Sequence, residues 1–600
     1  MKTRNEIEEK YKIDTTSLFK SDKEFETELK SVSKIISEIS KYNNKLLESN
    51  NLFDALSLDE KISRRLLRLY TYAHLNNDFD LGVSLYNEYL GKVIKLFHDY
   101  NSMASYIVPE LLENDYSVVE KLYKKYSELK KYEVTLKNIF RTKNHVLSKK
   151  EEYIISKLTA PYGIFEDAYT KLTDVDLKFG KITYDGKKEE LNDILYYALT
   201  EHKNRNVRKK AFKQFYDGFK SVVNTNAELI NGNVKANNLI ADVRKYNSAL
   251  ERSLDSNDIN PKVYDTLLDS INKNINTIHK QWDVLKKVLK LKDFHLYDSG
   301  APIVKEYEKK YSYDEAKDLV IKSLSVMGNE YVSIIEKAFN ERWIDVYPNK
   351  NKRGGAYCTH CYETHPYVVS NFDGKIHDVS TITHELGHAM QYYYADKENT
   401  FSNAEYSIFV AEVASQVNEI LLNKYIIDTT KDKNEKLSIY GNLIKQFKGS
   451  VVRQTMFAEF EKIIHEAEQK GEVLSVDYLN KTYYELNKKY YGDKVIIDDE
   501  IKYEWSRIPH FYYNFYVYQY STGYIAALKI ATDLYNKKAG SLEKYMEFLK
   551  LGCTVDPVSS LKIAGVDLTK ESTFDEAFKE FDRELNEFMY LTQKGVLGNE

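Results

Sequence analysis

The segment Ser380–Gln391 reads STITHELGHAMQ and contains the pattern H-E-x-x-H. Residues four apart lie on one face of an α-helix, so His384 and His388 would project together from a helix over this segment. Glu385 would point beside the same face, within reach of a water molecule next to the two imidazoles. This spacing of two histidines and a carboxylate is typical of a zinc site with a catalytic base.

A catalytic zinc site takes three protein ligands and keeps a fourth position for water. The third ligand is expected from the next helical segment, Asn403–Ile426, which combines an apolar stripe with three glutamates. Glu412 lies in its most apolar part, where a buried carboxylate is unfavourable unless a partner such as a divalent cation compensates it. Glu405 has polar neighbours, and Glu419 is a candidate for orienting one histidine. The sequence therefore predicts one Zn²⁺ per chain.

The composition indicates a large helical protein. Its 600 residues exceed what one hydrophobic core usually serves, so we expect two or more regions around a large cleft. Charged residues make up 30% of the chain and the net charge is −4, which gives no reason to expect nucleic acid or a membrane as partner. With 8 prolines and 23 glycines, and with Lys, Glu and Leu in helix-length patterns, the chain is predicted to be mainly α-helical.

Cysteine count and hydropathy predict a cytoplasmic protein. Three cysteines cannot build a disulfide framework, which favours a reducing compartment. The first residues, MKTRNEIEEKYKIDTT, lack the apolar core of a signal peptide. No run approaches the roughly 18 apolar residues that a membrane span needs.

Changes of pattern along the chain predict its organisation. The first quarter reads as successive amphipathic helices, and KITYDGK within Lys178–Leu191 reads as a small hairpin with an Asp-Gly turn. We therefore expect an N-terminal helical domain over residues 1–190 and a catalytic domain over residues 191–600. The helix that carries H-E-x-x-H is expected to start at an N-cap, either Asp378 or Ser380.

STITHELGHAMQ followed by SIFVAEVASQVNE resembles the thimet-oligopeptidase-like zinc peptidases, and most closely the bacterial oligoendopeptidase F family. The resemblance covers nearly the whole chain. It includes YKIDTTSLFKSDKEFE near the start, NRNVRKKAF, KRGGAY, IPHFYYNFYVYQYSTG, and LKIAGVDLT near the end. It implies that His384, His388 and Glu412 bind zinc and that Glu385 is the catalytic base.

The same resemblance implies a fold and a substrate class. The expected fold is mainly α, an elongated multi-helical protein whose zincin-like H-E-x-x-H catalytic region contains a small β-sheet. A deep substrate channel between mostly helical halves would admit short unfolded peptides and exclude folded proteins. The expected partners are therefore oligopeptide substrates, whereas the sequence predicts no particular oligomeric state.

Amide hydrolysis also needs donors for the oxyanion of the tetrahedral intermediate. The segment Tyr503–Tyr524 holds seven tyrosines in 22 residues, which favours either an aromatic core helix or a set of such donors. In the family that the chain resembles, a histidine and two tyrosines of this segment face the zinc and the substrate carbonyl. We accordingly predict that His510, Tyr513 and Tyr520 are catalytic.

A strand-and-turn region between Arg342 and Phe372 is predicted to contact substrate. Gly354, Gly355 and Tyr357 belong to a Gly-Gly-Ala-Tyr turn in which the backbone can approach a ligand closely. Tyr367–Asn371 is predicted to be an edge strand that pairs with an extended peptide by β-augmentation. Such pairing depends little on the peptide sequence, which suits a broad class of oligopeptides.

The favoured interpretation is a zinc-dependent oligoendopeptidase of peptide degradation, which hydrolyses internal peptide bonds through a zinc-bound water activated by Glu385. One alternative is a zinc carboxypeptidase on a similar helical scaffold, with Arg353 or Arg507 as the anchor for a terminal carboxylate. The other is a non-catalytic helical binding protein with a vestigial metal site. Cys358 and Cys361 form a C-x-x-C pair that could bind a second zinc, but no second cysteine pair exists to complete a structural site.

Overall fold

The computed structural model describes residues 1–304, 307 and 309–596. Its α-helices, in chain order, are α1 (Asp22–Ile35), α2 (Asn51–Phe79), α3 (Ser84–Ala104), α4 (Ile107–Leu112), α5 (Tyr116–Lys125), α6 (Glu133–Arg141), α7 (Lys149–Thr159), α8 (Ile164–Thr170), α9 (Asp193–Thr200), α10 (Arg205–Ser221), α11 (Val223–Val243), α12 (Ala249–Asp255), α13 (Lys262–Lys273), α14 (Ile275–Val288), α15 (Tyr313–Ser323), α16 (Gly328–Asn340), α17 (Ile376–Glu398), α18 (Phe401–Ala404), α19 (Ile408–Thr429), α20 (Lys433–Phe447), α21 (Gln454–Gln469), α22 (Val476–Tyr491), α23 (Tyr518–Tyr535), α24 (Ser541–Lys550), α25 (Pro557–Ile563) and α26 (Glu571–Val596). Its strands are β1 (Lys181–Tyr184), β2 (Lys187–Glu190), β3 (Phe294–His295), β4 (Ile344–Asp345), β5 (Tyr357–Thr359), β6 (Tyr367–Val369) and β7 (Val495–Ile496). The protein is mainly α-helical with small sheets, as the sequence predicts.

The chain folds into two compact units. The first comprises Met1–Lys149, Glu308–Tyr425 and Ile530–Val566, and the second comprises Lys150–Tyr307, Ile426–Lys529 and Asp567–Glu600. Each unit is therefore assembled from segments that are distant in sequence. The predicted assignment of residues 1–190 to a helical domain and 191–600 to a catalytic domain stays a prediction.

The core of the first unit joins its N-terminal helices to a small sheet. Phe25 of α1, Leu66 of α2 and Val93 of α3 are fully buried and belong to one apolar cluster with Tyr367 and Val369 of β6. The apolar residues that recur at helical spacing in this part of the sequence thus face a shared core. Each such side chain contributes roughly 1.5–3 kcal/mol relative to its exposed state.

The sheet of the first unit has the strand order β4-β6-β5, with β6 parallel to β4 and antiparallel to β5. Tyr367–Val369 is therefore the central strand, and all three of its residues are buried. The prediction that Tyr367–Asn371 is an edge strand is wrong, because both sides of β6 already pair with neighbours. An edge of this sheet is instead Tyr357–Thr359, the strand β5, and α17 packs against it.

The hairpin predicted near Lys178–Leu191 is confirmed in the second unit. Strands β1 and β2 pair in antiparallel register from Lys181 opposite Glu190 to Tyr184 opposite Lys187. The two turn residues, Asp185 and Gly186, have φ values of 46° and 77°. Both lie in the left-handed region that a type I′ hairpin turn requires, which explains the Asp-Gly pair.

The second unit is built around a 3-10 helix at Asp499–Arg507. Helices α10, α11 and α22 pack against it, and α11 also packs against α21. Phe215 of α10, Tyr264 of α13 and Trp282 of α14 are among the fully buried side chains of this unit. Across the part of the chain that the structure describes, no helix combines the length and the hydropathy of a membrane span.

Candidate metal centre

Helix α17, which carries H-E-x-x-H, begins at Ile376 after the N-cap Lys375. The expected N-caps, Asp378 and Ser380, therefore lie inside the helix, and that expectation is wrong. The Asp378 carboxylate accepts hydrogen bonds from the backbone N–H groups of Lys375 at 2.9 Å and Asp373 at 3.0 Å. It thus satisfies donors at the helix start from within the first turn, where the helix dipole also favours negative charge.

The structure brings His384, His388 and Glu412 together. Nε2 of His384 lies 3.2 Å, and Nε2 of His388 lies 3.4 Å, from the same oxygen of Glu412, Oε2. The four-residue spacing on α17 places the two imidazoles side by side, with ring centroids 4.9 Å apart. Glu412 is supplied by α19, which begins at Ile408, and the short α18 lies between it and α17. The predicted helical segment Asn403–Ile426 is therefore interrupted, although its second part carries Glu412.

Glu412 reaches the histidines from the exposed side of α19. Val413 and Val417 are fully buried, whereas 52% of the Glu412 side chain is exposed. Glu412 is therefore not buried in apolar surroundings, contrary to the prediction from the sequence. What distinguishes Glu412 is its proximity to both imidazoles, since Glu405 lies outside the cluster of possible metal ligands found among the described residues.

Gly387, inside the H-E-x-x-H pattern, allows α17 and α19 to approach closely. A Cβ atom at this position would lie 2.5 Å from the carbonyl oxygen of Ala414 and 2.5 Å from Cα of Ser415. Real Cβ atoms do not approach backbone atoms this closely, so a larger residue would force the helices apart. This role of Gly387 was not predicted from the sequence, although a glycine in mid-helix is a signal of close packing.

We expect the substitution Gly387→Ala to weaken zinc binding about tenfold or more, because it displaces Glu412 from the two histidines. Alanine is intrinsically about 1 kcal/mol more favourable than glycine in a helix, so propensity alone would predict the opposite sign. The measurement is zinc affinity by competition with a chelator. Gly91→Ala on α3 is the control, since its Cβ would meet no atom within 4 Å. An unchanged zinc affinity in Gly387→Ala would show that the close helix contact does not position Glu412.

A second set of polar groups holds two of the three residues, His384 and Glu412, in place. Oε2 of Glu419 lies 3.4 Å from Nδ1 of His384, the imidazole nitrogen on the far side from Glu412. Ser380 Oγ donates to the other oxygen of Glu419 at 3.0 Å. Ser415 Oγ donates to Oε2 of Glu412 at 3.0 Å. The predicted position of Glu419 behind a histidine agrees with this geometry, and such partners usually orient metal ligands.

The site is electrostatically suited to a cation. Burial alone would lower the pKa of His384, but hydrogen bonds to Glu412 and Glu419 outweigh it and raise the pKa to about 10. Partial burial of the Glu412 carboxylate would raise its pKa, but hydrogen bonds with His384 and His388 hold that pKa well below its usual range. The two glutamates thus favour a positive charge at His384, as they would favour a cation bound between these groups.

Glu385 lies next to the histidines and is buried, with 7% of its surface exposed. Burial raises the pKa of its carboxyl group, while the neighbouring His384 and His388 act in the opposite direction. Burial also raises the pKa of the Cys358 thiol on β5, and the charge of Glu385 adds to this effect. The edge strand β5 packs against α17, the helix that carries Glu385.

The predicted glycine turn is firmly held at both ends and open at its tip. At one end, the buried Lys352 pairs with Asp345 at 2.7 Å and donates to the carbonyl oxygen of Ser370. At the other end, the Tyr357 hydroxyl donates to the fully buried carboxylate of Asp78 at 2.8 Å.

The tip itself consists of Gly354 and Gly355. Gly355 has φ +82°, which favours glycine, and a Cβ on either residue would meet no atom within 4 Å. The Asn371 side chain donates to the carbonyl oxygens of Arg353 and Gly355 at 2.9 and 2.7 Å. A fixed loop with exposed backbone at its tip can offer hydrogen bonds to an extended ligand.

The tyrosine-rich segment belongs to the second unit and is not one helix. A 3-10 helix at Pro509–Tyr512 is followed by a turn in which Asn514 and Phe515 have φ values of 48° and 59°. Helix α23 then begins at Tyr518. The aromatic core helix considered as an alternative is therefore interrupted among the polar rings. Asn514 suits this turn, because Asn adopts the left-handed conformation more readily than most residues.

The interruption gathers the polar rings around His510. Its ring centroid lies 5.5 Å from that of Tyr513 and 6.1 Å from that of Tyr520. Tyr516, which the sequence analysis missed, lies 5.5 Å from Tyr520 and 6.5 Å from His510. Tyr513 is 45% exposed. His510 is itself partly buried, and this burial lowers the pKa of its imidazole. The three predicted residues thus form one cluster within the second unit.

Comparison with known proteins gives the family. Residues 198–580 match Peptidase family M3, and residues 110–179 match the description Oligopeptidase F. The first match covers more than half of the chain. The chain belongs to peptidase family M3.

Relatives within family M3 extend over nearly the whole chain. Oligopeptidase PepF of Bacillus subtilis is 40% identical over 579 residues, which is 96% of this chain and 86% of that protein. Oligoendopeptidase-F from Enterococcus faecium has a crystal structure with a TM-score of 0.73 at 32% identity, covering 96% of this chain and 99% of that one. A protein of Chlamydophila abortus of known structure reaches a TM-score of 0.94 at 34% identity, covering 98% and 100%. The resemblance to the oligoendopeptidase F family is confirmed, and this M3 protein is a metalloendopeptidase.

Family M3 implies a metal, and the residues present fit one. Two imidazole nitrogens and a carboxylate oxygen are the ligand types of catalytic zinc sites. Bonds of about 2.0–2.2 Å at tetrahedral angles would place ligand atoms about 3.3 Å apart, close to the 3.2 and 3.4 Å between the histidine nitrogens and Glu412 Oε2. His384, His388 and Glu412 are also the one group of this kind among the residues that the structure describes.

The C-x-x-C pair of this M3 chain has a different environment. Cys361 is buried in the apolar cluster of the first unit, and its Sγ lies 3.7 Å from the carbonyl oxygen of Tyr362. Cys358 Sγ lies 3.8 Å from the carbonyl oxygen of Thr359. Neither thiol is part of a disulfide. Both contacts are with backbone, as expected of thiols that pack within a folded sheet region.

Proposed function

We propose that this chain is a zinc-dependent oligoendopeptidase that hydrolyses internal bonds of short unfolded peptides. Peptidase activity follows from membership of family M3. The observation that supports zinc is the convergence of His384, His388 and Glu412 at 3.2–3.4 Å, with Glu385 beside them. The substrate class comes from the oligoendopeptidase F relatives, and the cytoplasmic location stays a prediction.

In this proposal Glu385 moves the protons. When bound at His384, His388 and Glu412, zinc supplies a Lewis acid that polarises the scissile carbonyl and makes water more acidic. Glu385 accepts a proton from the attacking water and then donates it to the departing amine. Its burial keeps bulk water away from the carboxylate during both transfers. Glu419 holds the His384 ring so that Nε2, rather than Nδ1, faces Glu412.

The proposed peptide-binding elements are β5 and the glycine turn. The outer edge of β5 can add an extended peptide by β-augmentation, and its other edge pairs with β6. Gly354 and Gly355 offer exposed backbone, and the Tyr357 hydroxyl holds the turn against Asp78. Backbone recognition of this kind places few demands on the peptide sequence, in keeping with a broad oligopeptidase.

A direct test of the proposed function uses a mixed peptide library read by mass spectrometry. We expect internal cleavage of short peptides, loss of cleavage with a chelator, and recovery when zinc is added back. A C-terminally amidated peptide separates the carboxypeptidase alternative, because an endopeptidase cleaves it as well as the free acid. Arg353 is already paired with Asp78 and Arg507 with Glu504, so neither supports that alternative as a vacant carboxylate anchor. Cleavage only of peptides with a free carboxylate would reject the endopeptidase proposal.

The catalytic role predicted for His510, Tyr513 and Tyr520 has its own test. We expect at least one of Tyr513→Phe and Tyr520→Phe to lower kcat about 10²–10³-fold with little change in KM, because an oxyanion donor acts mainly in the transition state. Zinc content and thermal stability should stay unchanged, since the ring volume is kept. His510→Ala should lower kcat in the same way.

Tyr512→Phe is the matched control for these variants. Its ring packs on Tyr169 at 4.7 Å and lies outside the cluster around His510, so its kcat should stay close to wild type. If Tyr513→Phe and Tyr520→Phe both stay within about threefold of wild-type kcat, the segment is aromatic packing and other groups bind the oxyanion.

A further inference from the structure

A cavity of about 230 Å³ lies within the second unit. None of the proposed metal ligands or catalytic residues lines it. Its walls come from α9, α10, α14, α22 and the 3-10 helix Asp499–Arg507, together with the segment Lys448–Arg453. The lining combines flat aromatic rings with cationic side chains, a combination that the proposed peptidase chemistry does not use.

The cationic charge of the lining exceeds the anionic charge. Of the described residues, the charged ones that line the cavity are Arg208, Lys448, Arg453, Arg507, Glu201 and Glu504. The single Glu504 carboxylate accepts from both Arg453 at 2.7 Å and Arg507 at 3.0 Å. Arg208 pairs with the buried Asp298 at 2.8 Å, and Arg205 shares that carboxylate at 2.7 Å. A partly buried excess of positive charge is unfavourable unless an anion compensates it.

Lys448 carries the least compensated of these charges. Its Nζ donates to the carbonyl oxygen of Ser299 at 2.8 Å. Over residues 1–304, 307 and 309–596, no carboxylate forms an ion pair with it. Burial, together with the charges of Arg453 and Lys445, lowers the pKa of Lys448 to about 8, although Glu201 acts in the opposite direction. A bound anion would favour the protonated form of this amine.

The aromatic walls lie beside this amine. Lys448 Nζ is 6.0 Å from the ring centroid of Trp282, and Trp282 stacks on Tyr491 with centroids 4.5 Å apart and an interplanar angle of 19°. Tyr216 and Tyr297 also line the cavity. Rings bound against such faces pack in offset-stacked or edge-to-face arrangements.

We propose that this cavity binds a small organic anion, namely a carboxylate on a planar aromatic ring with no neighbouring ammonium group. The carboxylate pairs with Lys448, and the ring packs against Tyr491, the partly exposed ring that stacks on the buried Trp282. An ammonium group would meet the excess positive charge of the lining, which disfavours free amino acids. The volume suits a single ring, because cavities for larger drug-sized ligands measure roughly 300–1,000 Å³.

Isothermal titration calorimetry of the full-length protein tests this proposal with phenylacetate as probe. We expect phenylacetate to bind with a dissociation constant in the millimolar range or lower. Phenylacetamide, which has the ring without the charge, should bind at least about tenfold more weakly than phenylacetate. Phenylalanine tests the effect of the ammonium group, and inorganic phosphate tests charge without a ring. Both should bind more weakly than phenylacetate.

Variants locate the binding site. Lys448→Met should weaken phenylacetate binding about tenfold or more, whereas Lys448→Arg should retain most of it. Lys462→Met is the control, because Lys462 pairs with Asp265 at 2.6 Å and does not line the cavity. Phenylacetate should also change the tryptophan fluorescence of the wild type, and Trp282→Phe should remove that change.

The proposal would be overturned by a lack of saturable phenylacetate binding, by equal binding of phenylacetamide, or by wild-type affinity in a folded Lys448→Met. Circular dichroism establishes that each variant is folded. If Lys448→Met does not fold, two measurements still test the proposal. They are the comparison of phenylacetate with phenylacetamide and the fluorescence of Trp282→Phe. Equal or tighter binding of phosphate would likewise reject an aromatic ligand.

Discussion

Glu385→Gln is expected to retain zinc and to lose nearly all turnover. The amide cannot accept a proton from the attacking water, so the general-base contribution of about 10²–10⁴-fold is removed. The same group also delivers the proton to the departing amine, which makes the loss fall in kcat rather than in KM. Steady-state cleavage of one defined peptide, together with metal content, measures both quantities.

Glu398→Gln is the matched control for this substitution. It makes the same chemical change on the same helix, α17, at an exposed position in its last turn, and should behave as wild type. The isosteric change at Glu385 keeps the packing of a buried side chain, so stability should change little. A Glu385→Gln enzyme that kept about a third of the wild-type kcat would remove Glu385 from the proton transfers.

Glu412→Ala is expected to lose zinc and therefore activity. Without Glu412 the site has two imidazoles only, one ligand fewer than catalytic zinc sites use. Because half of the Glu412 side chain is exposed and no apolar packing is lost, the fold should remain intact. Zinc content after dialysis and the melting temperature of the metal-free protein are the two measurements.

Glu405, just before α19, and Glu419, on α19, provide controls with different expected losses of zinc binding. Glu405→Ala should bind zinc as wild type does, since Glu405 lies outside the cluster. Glu419→Ala should weaken zinc binding by about 10–100-fold without abolishing it, as is usual when the partner of a metal-ligating histidine is lost. Stoichiometric zinc of wild-type affinity in Glu412→Ala would show that another group is the third ligand.

Local patterns in the sequence predicted the features that depend on nearby residues. His384 and His388 are neighbours because residues four apart on a helix always share a face. The Asp-Gly turn of the β1–β2 hairpin followed from the left-handed φ values that a two-residue turn demands. The apolar stripe of α19 is buried as expected, because helical periodicity marks the core side of a helix.

Features that depend on distant segments were predicted less well. The sequence pattern marked Tyr367–Val369 as a strand but not as the central one, because strand order depends on pairing with β4 and β5. Tyr516 was not distinguished from the other tyrosines, since its place beside His510 follows from the left-handed turn at Asn514 and Phe515. The cavity beside Lys448 is likewise formed by residues from many segments of the second unit.

Glu412 shows most clearly what the sequence determines and what the tertiary structure determines. The sequence by itself determined that a helix after H-E-x-x-H would offer Glu412 and Glu419 on one face, because that is a property of one segment. Only the tertiary structure decided which glutamate meets the histidines. That choice depends on how closely two helices pack, and the missing side chain of Gly387 lets the backbone of α19 approach α17 at this one point. Contact between helices is set by shape across the interface, which no single segment encodes.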